Sequence, residues 1–237
     1  MPALDGLYNL LASLTADQVI LGMLVACGLM VVVEERRVSL SALLVQYLFL
    51  GVLMGSELYR PIVMVRIGLG VAVCLVLYIT AWHVETVLRR EQPAGANLPQ
   101  MWQRTLGVSA QSLGVGERAL SARGMGALFR FMVLILAALV AYGLWRAYPL
   151  GIVPAAVNLT SYLLVTTGFL VTLTSADPLR MGLGVLTFVN GFEGTYLFLE
   201  NSLVMIAVLS VVDIVVALGI VACAETWLMS LQGEAAA

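Results

Sequence analysis

LVMIAVLSVVDIVVALGIVA, which runs from Leu203 to Ala222, is an apolar stretch whose single charged residue is Asp213. A helix of about twenty apolar residues spans the hydrocarbon core of a bilayer. A carboxylate near the membrane centre costs a few kcal/mol or more, so it is paired, is protonated or faces water inside a bundle. Asp213 is therefore the first candidate for a functional residue.

Composition indicates the same class of protein. Hydrophobic residues make up 61% of the 237-residue chain, charged residues 11%, and the mean hydropathy is +1.01, which a soluble core of this size would not show. These values predict an integral membrane protein in contact with the lipid bilayer. The net charge of -2, without a clustered basic face, argues against a nucleic-acid partner.

Six further apolar runs, each bounded by charged residues or by Pro and Gly, predict about seven transmembrane helices and hence an all-α, polytopic helical bundle. The predicted spans are 18–33, 38–54, 62–84, 129–144, 152–173, 181–199 and 202–227. Short connections between spans favour antiparallel neighbours. The long connection divides the chain into a three-helix unit (1–84), a cytoplasmic loop (85–128) and a four-helix unit (129–237).

Arginine placement predicts the orientation. If the N-terminus is outside, only Arg60 and Arg146 fall on the external side, and cytoplasmic segments hold nine arginines, as the positive-inside rule requires. Those nine are Arg36, Arg37, Arg89, Arg90, Arg104, Arg118, Arg123, Arg130 and Arg180. Seven spans then leave the C-terminus in the cytoplasm.

A shift of 143 positions lays the second and third spans on the sixth and seventh without a gap. It pairs Gly51 with Gly194 and Glu57 with Glu200, besides several leucines. The odd fourth span restores the starting side of the membrane. The pattern is therefore consistent with a parallel duplication of a three-helix unit around that span.

Two carboxylates are expected at similar depth on adjacent antiparallel helices. Glu193 lies about 18 Å from the cytoplasmic end of its span, and Asp213 about 15 Å from the external end of the next, at 1.5 Å per residue. Two close acids in a low dielectric cannot both ionise cheaply, so at least one should keep its proton near neutral pH. A proton relay needs such a site. Alternatively, each acid is a protonated packing donor or pairs with an arginine of a neighbouring subunit.

Apart from Arg130 and His83, which lie within two residues of a span end, Arg66 is the only basic residue within a span, about 7 Å from its external end. Snorkelling of its long side chain to the headgroups is the simpler interpretation. The alternative is a functional cation that pairs with a buried carboxylate or faces an internal water path. Gln46 and Tyr47, in the middle of the second span, are predicted to form hydrogen bonds between helices.

Motifs for catalysis do not occur in the sequence: it has no nucleophile elbow, phosphate loop, Rossmann glycine pattern, haem-attachment pair or zinc spacing. The three cysteines, Cys27, Cys74 and Cys223, lie inside apolar runs without paired spacing. We therefore expect no active site, cofactor or metal of the chain's own.

The last two spans resemble the HyfE-type membrane subunit of energy-converting nickel-iron hydrogenases, which is related to the NuoK subunit of complex I and the MrpC subunit of cation antiporters. In that family, a helix with a Leu-Glu-Asn-Gly motif precedes one with a mid-membrane Asp. Asn190 and Gly191 match the motif, and Asp213 matches the later acid. The family's basic residue in an earlier helix, usually Lys, would correspond to Arg66.

One position departs from the family pattern. Val189 stands where the motif has Glu, and Glu193 follows one turn later on the same helix face. Either the acid has moved while keeping its direction, or the path is lost.

The resemblance implies a non-catalytic subunit of a hydrogenase-like or NADH-quinone-oxidoreductase-like complex in the cell inner (cytoplasmic) membrane. Such a subunit helps to couple redox chemistry in a peripheral arm to proton or sodium movement through antiporter-like membrane subunits. Asp213, Glu193, Arg66 and Asn190 would then belong to the ion path. Two other classes stay open, a free-standing small-molecule carrier or exporter and a purely structural assembly subunit.

Overall fold

The computed structural model describes residues 15–33, 35–55, 60–91, 127–175, 177–200 and 202–236. Within these ranges the chain forms seven α-helices and no strand. They are α1 (Ala16–Val32), α2 (Arg36–Gly55), α3 (Arg60–Glu91), α4 (Ala127–Ala147), α5 (Ala155–Thr174), α6 (Pro178–Leu199) and α7 (Leu203–Ala236). The predicted all-helical fold class is confirmed.

Five of the described helices contain segments long and apolar enough to cross a membrane, as integral membrane proteins do. These segments are Arg36–Gly55, Val63–Val84, Leu128–Ala147, Ala155–Thr174 and Val204–Met229. α1 is apolar but has only 17 residues. α6, which carries Asn190 and Glu193, is not among the five.

Two helices continue past their predicted spans. α3 extends to Glu91, although 85–128 was predicted as loop, and α7 extends to Ala236 rather than 227. Charged residues mark where an apolar segment leaves lipid, but they are good helix formers and do not end the helix. The rest of the predicted loop, 92–126, lies outside the described residues.

The helices pack as two layers, with α1, α2 and α3 in one and α5, α6 and α7 in the other. Within each layer consecutive helices are in contact, and across the layers α1 contacts α5, α2 contacts α6, and α3 contacts α7. α4 packs against α1 and α5 only at its inner side, and its other face exposes large apolar residues such as Leu128, Phe131 and Leu139. Exposed apolar surface of this extent is typical of a face in contact with lipid or protein.

The arginines of one end hold the helix termini together. Arg180, at the start of α6, donates to the main-chain oxygens of Met30 (3.1 Å) and Val31 (2.7 Å) in the last turn of α1. Arg36, at the start of α2, forms a 3.0 Å ion pair with Asp177, the N-cap residue of α6. Arg180 thus supplies donors for main-chain oxygens that the last turn of a helix leaves unpaired, and the ion pair joins the starts of α2 and α6.

Apolar layers lie above and below the middle of the bundle. Toward the arginine-rich end, Leu43 of α2 and Leu183 of α6 belong to one buried cluster. Toward the opposite end, Leu50 and Leu197 of the same two helices belong to a second cluster. On α6, the buried Glu193 lies between these two layers and away from both ends of the helix.

Candidate functional site

Arg66 of α3 points into the bundle instead of snorkelling to the surface. The residue is only 4% exposed, and its Nη1 lies 2.7 Å from Oε2 of Glu193, which is fully buried. At this distance the two side chains form a buried ion pair. The snorkelling expectation is therefore wrong, and the alternative of a cation paired with a buried carboxylate is what the structure shows.

Asn190 holds the same guanidinium from one turn earlier on α6. Arg66 Nη2 donates to the Asn190 side-chain oxygen at 2.8 Å and lies 3.4 Å from its main-chain oxygen. Residues three apart in a helix share a face, so Asn190 and Glu193 approach Arg66 together. The predicted α6 residues thus form one binding surface for the positive charge.

Asp213 of α7 is fully buried next to this ion pair. Its Oδ2 accepts a 3.3 Å hydrogen bond from the hydroxyl of Tyr47 on α2. Its carboxylate is close enough to interact electrostatically with Arg66 and with Glu193. The two acids therefore belong to one electrostatic cluster, which joins four helices, α2, α3, α6 and α7.

The cluster has an excess of negative groups, since one guanidinium faces two carboxyl groups. Several of its buried polar atoms have no hydrogen-bond partner among the described residues, namely Arg66 Nε, Asn190 Nδ2, Glu193 Oε1 and Asp213 Oδ1. Buried polar groups are normally satisfied by protein or by ordered water. A site with spare donors and acceptors and an unbalanced charge has the chemistry to bind and release a proton or a small cation.

A second polar network lies beside the first but is internally satisfied. The amide nitrogen of Gln46 is 3.6 Å from Cys27 Sγ, and its oxygen accepts a 3.1 Å hydrogen bond from Thr187. Thr167 also donates to Cys27, at 3.6 Å. These contacts join α1, α2, α5 and α6, so the predicted helix-to-helix role of Gln46 is confirmed.

Tyr47 is the residue of the cluster that sequence reasoning undervalued. Its polar group in mid-span was visible, and a hydrogen bond between helices was expected, but nothing in the sequence indicated Asp213 as the partner. The two residues are 166 positions apart. In the described part of the chain, no group of three or more His, Cys, Asp or Glu residues could hold a metal ion.

Comparison of the chain with models of known protein families, with curated proteins and with solved structures gave no match. The class of protein follows from the fold and the site alone. The chain is an apolar helical bundle, of the kind that integral membrane proteins have, with a cluster of charged residues in its interior.

Proposed function

We propose that the chain is a non-catalytic membrane subunit of a redox-linked complex that moves protons or sodium ions, similar to the HyfE and NuoK subunits. The observation that carries this proposal is the buried cluster in which Arg66 pairs with Glu193 beside Asp213. Ionisable groups inside a membrane bundle are expensive and mark ion paths and proton relays. In this proposal Asp213, Glu193, Arg66 and Asn190 belong to that path, together with Tyr47.

The position of Glu193 supports the proposal despite the departure at Val189. The acid expected at 189 is found one turn later, and its carboxylate reaches the basic residue of an earlier helix. A four-residue displacement along a helix keeps a side chain near the same face. The change is therefore compatible with a path that has moved by one turn.

The architecture supports a duplicated unit. We propose that all seven helices span the inner membrane, with the N-terminus outside, and that α5–α7 repeat α1–α3. In the two-layer arrangement each helix of the first unit contacts its counterpart in the second. The termini of α1, α2, α4 and α6 that meet through arginines would then lie on the cytoplasmic side.

Substitution of Asp213 by Asn in the assembled complex tests the ion path. We expect assembly to be kept and ion movement driven by the redox reaction to be lost, because Asn cannot take up or release a proton. Asp17→Asn, which removes an exposed acid at the start of α1, is the control and should leave ion movement unchanged. Normal ion movement in correctly assembled Asp213→Asn would refute the proposal.

The mass of the native particle separates the proposal from a free-standing carrier. A complex subunit, isolated in mild detergent through an affinity tag, should migrate on a native gel with several unrelated membrane proteins. A carrier would migrate as a small oligomer of this chain alone, and that result would contradict membership of a complex.

A further inference from the structure

We propose that Tyr47 and Gly70 together position the Asp213 carboxylate, with Tyr47 as the hydrogen-bond donor and Gly70 as the residue that sets the donor's place. The inference rests on the proposed function, in which Asp213 is an ion-path residue. It concerns a different question, which is what fixes the orientation of this carboxylate inside the bundle.

The ring of Tyr47 lies directly against the backbone of α3 at Gly70. A Cβ atom at Gly70 would come within 2.6 Å of Tyr47 Cγ, 2.7 Å of its Cβ and 2.8 Å of its Cδ1. All three atoms belong to the base of the side chain, which cannot move aside without a shift of the ring or of α2. Glycine is therefore the residue that permits the observed place of Tyr47.

The hydroxyl end of the same ring makes the contact with Asp213. Tyr47 is fully buried, and its oxygen lies 3.3 Å from Asp213 Oδ2, longer than the roughly 2.5–3.0 Å usual for an O–H···O hydrogen bond. A displacement at the base of a rigid ring is carried to its tip. A shift of a few tenths of an ångström would thus weaken or break this contact.

Gly70 also connects the two halves of the cluster. It lies four residues after Arg66, so both are on the same face of α3. From this face Arg66 contacts Glu193 and Asn190 on α6. One turn further along α3, Gly70 leaves room for the ring of Tyr47, whose hydroxyl contacts Asp213 on α7. One turn of α3 thus places both acids of the site.

The register of the internal repeat gives these residues related positions. The offset of 143 that aligns the two units places Gly70 opposite Asp213 and Tyr47 opposite Asn190. In each unit the α2-type helix therefore provides a hydrogen-bonding residue at the same position, Tyr47 to Asp213 and Asn190 to Arg66. Glycine stands in the first unit where the second unit has an acid.

Infrared spectroscopy of the Asp213 side chain tests the positioning directly. The chain is reconstituted in lipid vesicles with carboxyl-labelled aspartate, and the Asp213 bands are isolated by subtracting the spectrum of Asp213→Asn. Tyr47→Phe, which keeps the ring and removes the donor, should shift these bands. Gly70→Ala should shift them in the same direction, and the double variant should shift them no further than either single change.

Gly68→Ala is the matched control, because a Cβ at Gly68 meets nothing within 4 Å and the residue lies on the same helix. It should leave the Asp213 bands in place. Unchanged bands in Tyr47→Phe would overturn the proposal even if Gly70→Ala fails to fold. A shift in Gly68→Ala as large as in Gly70→Ala would also overturn it.

Ion movement in the assembled complex separates this inference from the proposed function. Tyr47→Phe and Gly70→Ala should each reduce it by roughly tenfold, with no larger loss in the double variant, as expected for one hydrogen bond to a charged group. A band shift without loss of ion movement would keep the positioning and contradict the ion-path function. Loss of ion movement in Asp213→Asn without a band shift in Tyr47→Phe would support the ion-path function and contradict the positioning.

Discussion

Arg66 brings a positive charge into an apolar bundle, where it forms an ion pair with Glu193, 2.7 Å away. Removing two charges from water costs several kcal/mol per ion, and their attraction offsets this cost only while both are present. Loss of one partner leaves the other buried without its ion-pair contact. The stability of the protein should therefore fall far more when one partner is substituted than when both are.

Stability measurements on Glu193→Leu and on Arg66→Met/Glu193→Leu check this expectation. The single variant should lose about 3–5 kcal/mol, whereas the double variant, which replaces both charges by apolar side chains, should recover most of that loss. Thermal unfolding of the purified protein in detergent gives the comparison. A double variant as unstable as the single one would show that the ion pair itself is needed for folding.

For single residues, the sequence indicated which side chains to examine but not how they pair. Asp213, Glu193 and Arg66 could be recognised because charge is costly in an apolar span. Their partners depend on the rotation of each helix about its axis, which apolar residues on most sides of a span do not specify. The prediction that Arg66 snorkels was wrong for that reason, and the contact of Tyr47 with Asp213 was not predicted.

Among the helices, α5 and α6 make the closest approach. A Cβ at Gly191 would lie 2.8 Å from the main-chain oxygen of Ser161, and one at Gly168 would lie 2.7 Å from that of Gly184. Inside a membrane, helices gain no hydrophobic driving force from each other, so close packing of small residues holds them together. This contact fixes α6, and with it Asn190 and Glu193, against the rest of the bundle.

Alanine substitution at two glycines tests the role of this contact. Gly191→Ala should lower the free energy of unfolding by about 1–3 kcal/mol, because the methyl group meets backbone atoms. Gly143→Ala on α4 adds a methyl group with nothing within 4 Å, and should be neutral or stabilising. Thermal unfolding of both variants under the same conditions makes the comparison. Equal stability of the two would contradict the assigned contact.

Helix positions could be predicted well from the sequence, and helix ends less well. The seven apolar runs correspond to α1–α7 because hydropathy reports where a segment is apolar. It does not report where hydrogen bonding of the backbone stops, so the extensions of α3 and α7 were not foreseen. The glycine contact of α5 with α6 was also not predicted, since glycines occur in most of the spans.

For the whole molecule, the two layers place equivalent helices of the proposed units opposite each other, with the charged cluster between them. The composition was sufficient to predict a membrane bundle, because 61% hydrophobic residues cannot be buried in a soluble core of this size. The pairing of layers was not predictable, because short connections determine neighbours in sequence but not contacts between the first and second halves of the chain.

The proposed orientation predicts which end of the bundle faces the cytoplasm. Cysteines introduced at Arg37, near the start of α2, and at Tyr148, after α4, should react with a membrane-impermeant thiol reagent from opposite sides. In intact cells, we expect labelling at position 148 and protection at position 37 until the membrane is opened, because the proposed orientation places the arginine-rich end in the cytoplasm. The reverse pattern would show that the topology is inverted. Labelling of both positions in intact cells would contradict the membrane spans.

The most direct test of the central claim uses Arg66→Met/Glu193→Leu in the assembled complex, with ions moved per electron transferred as the measured quantity. The variant replaces the Arg66–Glu193 ion pair with apolar side chains, so folding and assembly should be kept. If the cluster carries ions, redox turnover should continue while the ratio of ions to electrons falls to background. An unchanged ratio in the correctly assembled variant would show that the Arg66–Glu193 pair only holds the helices together.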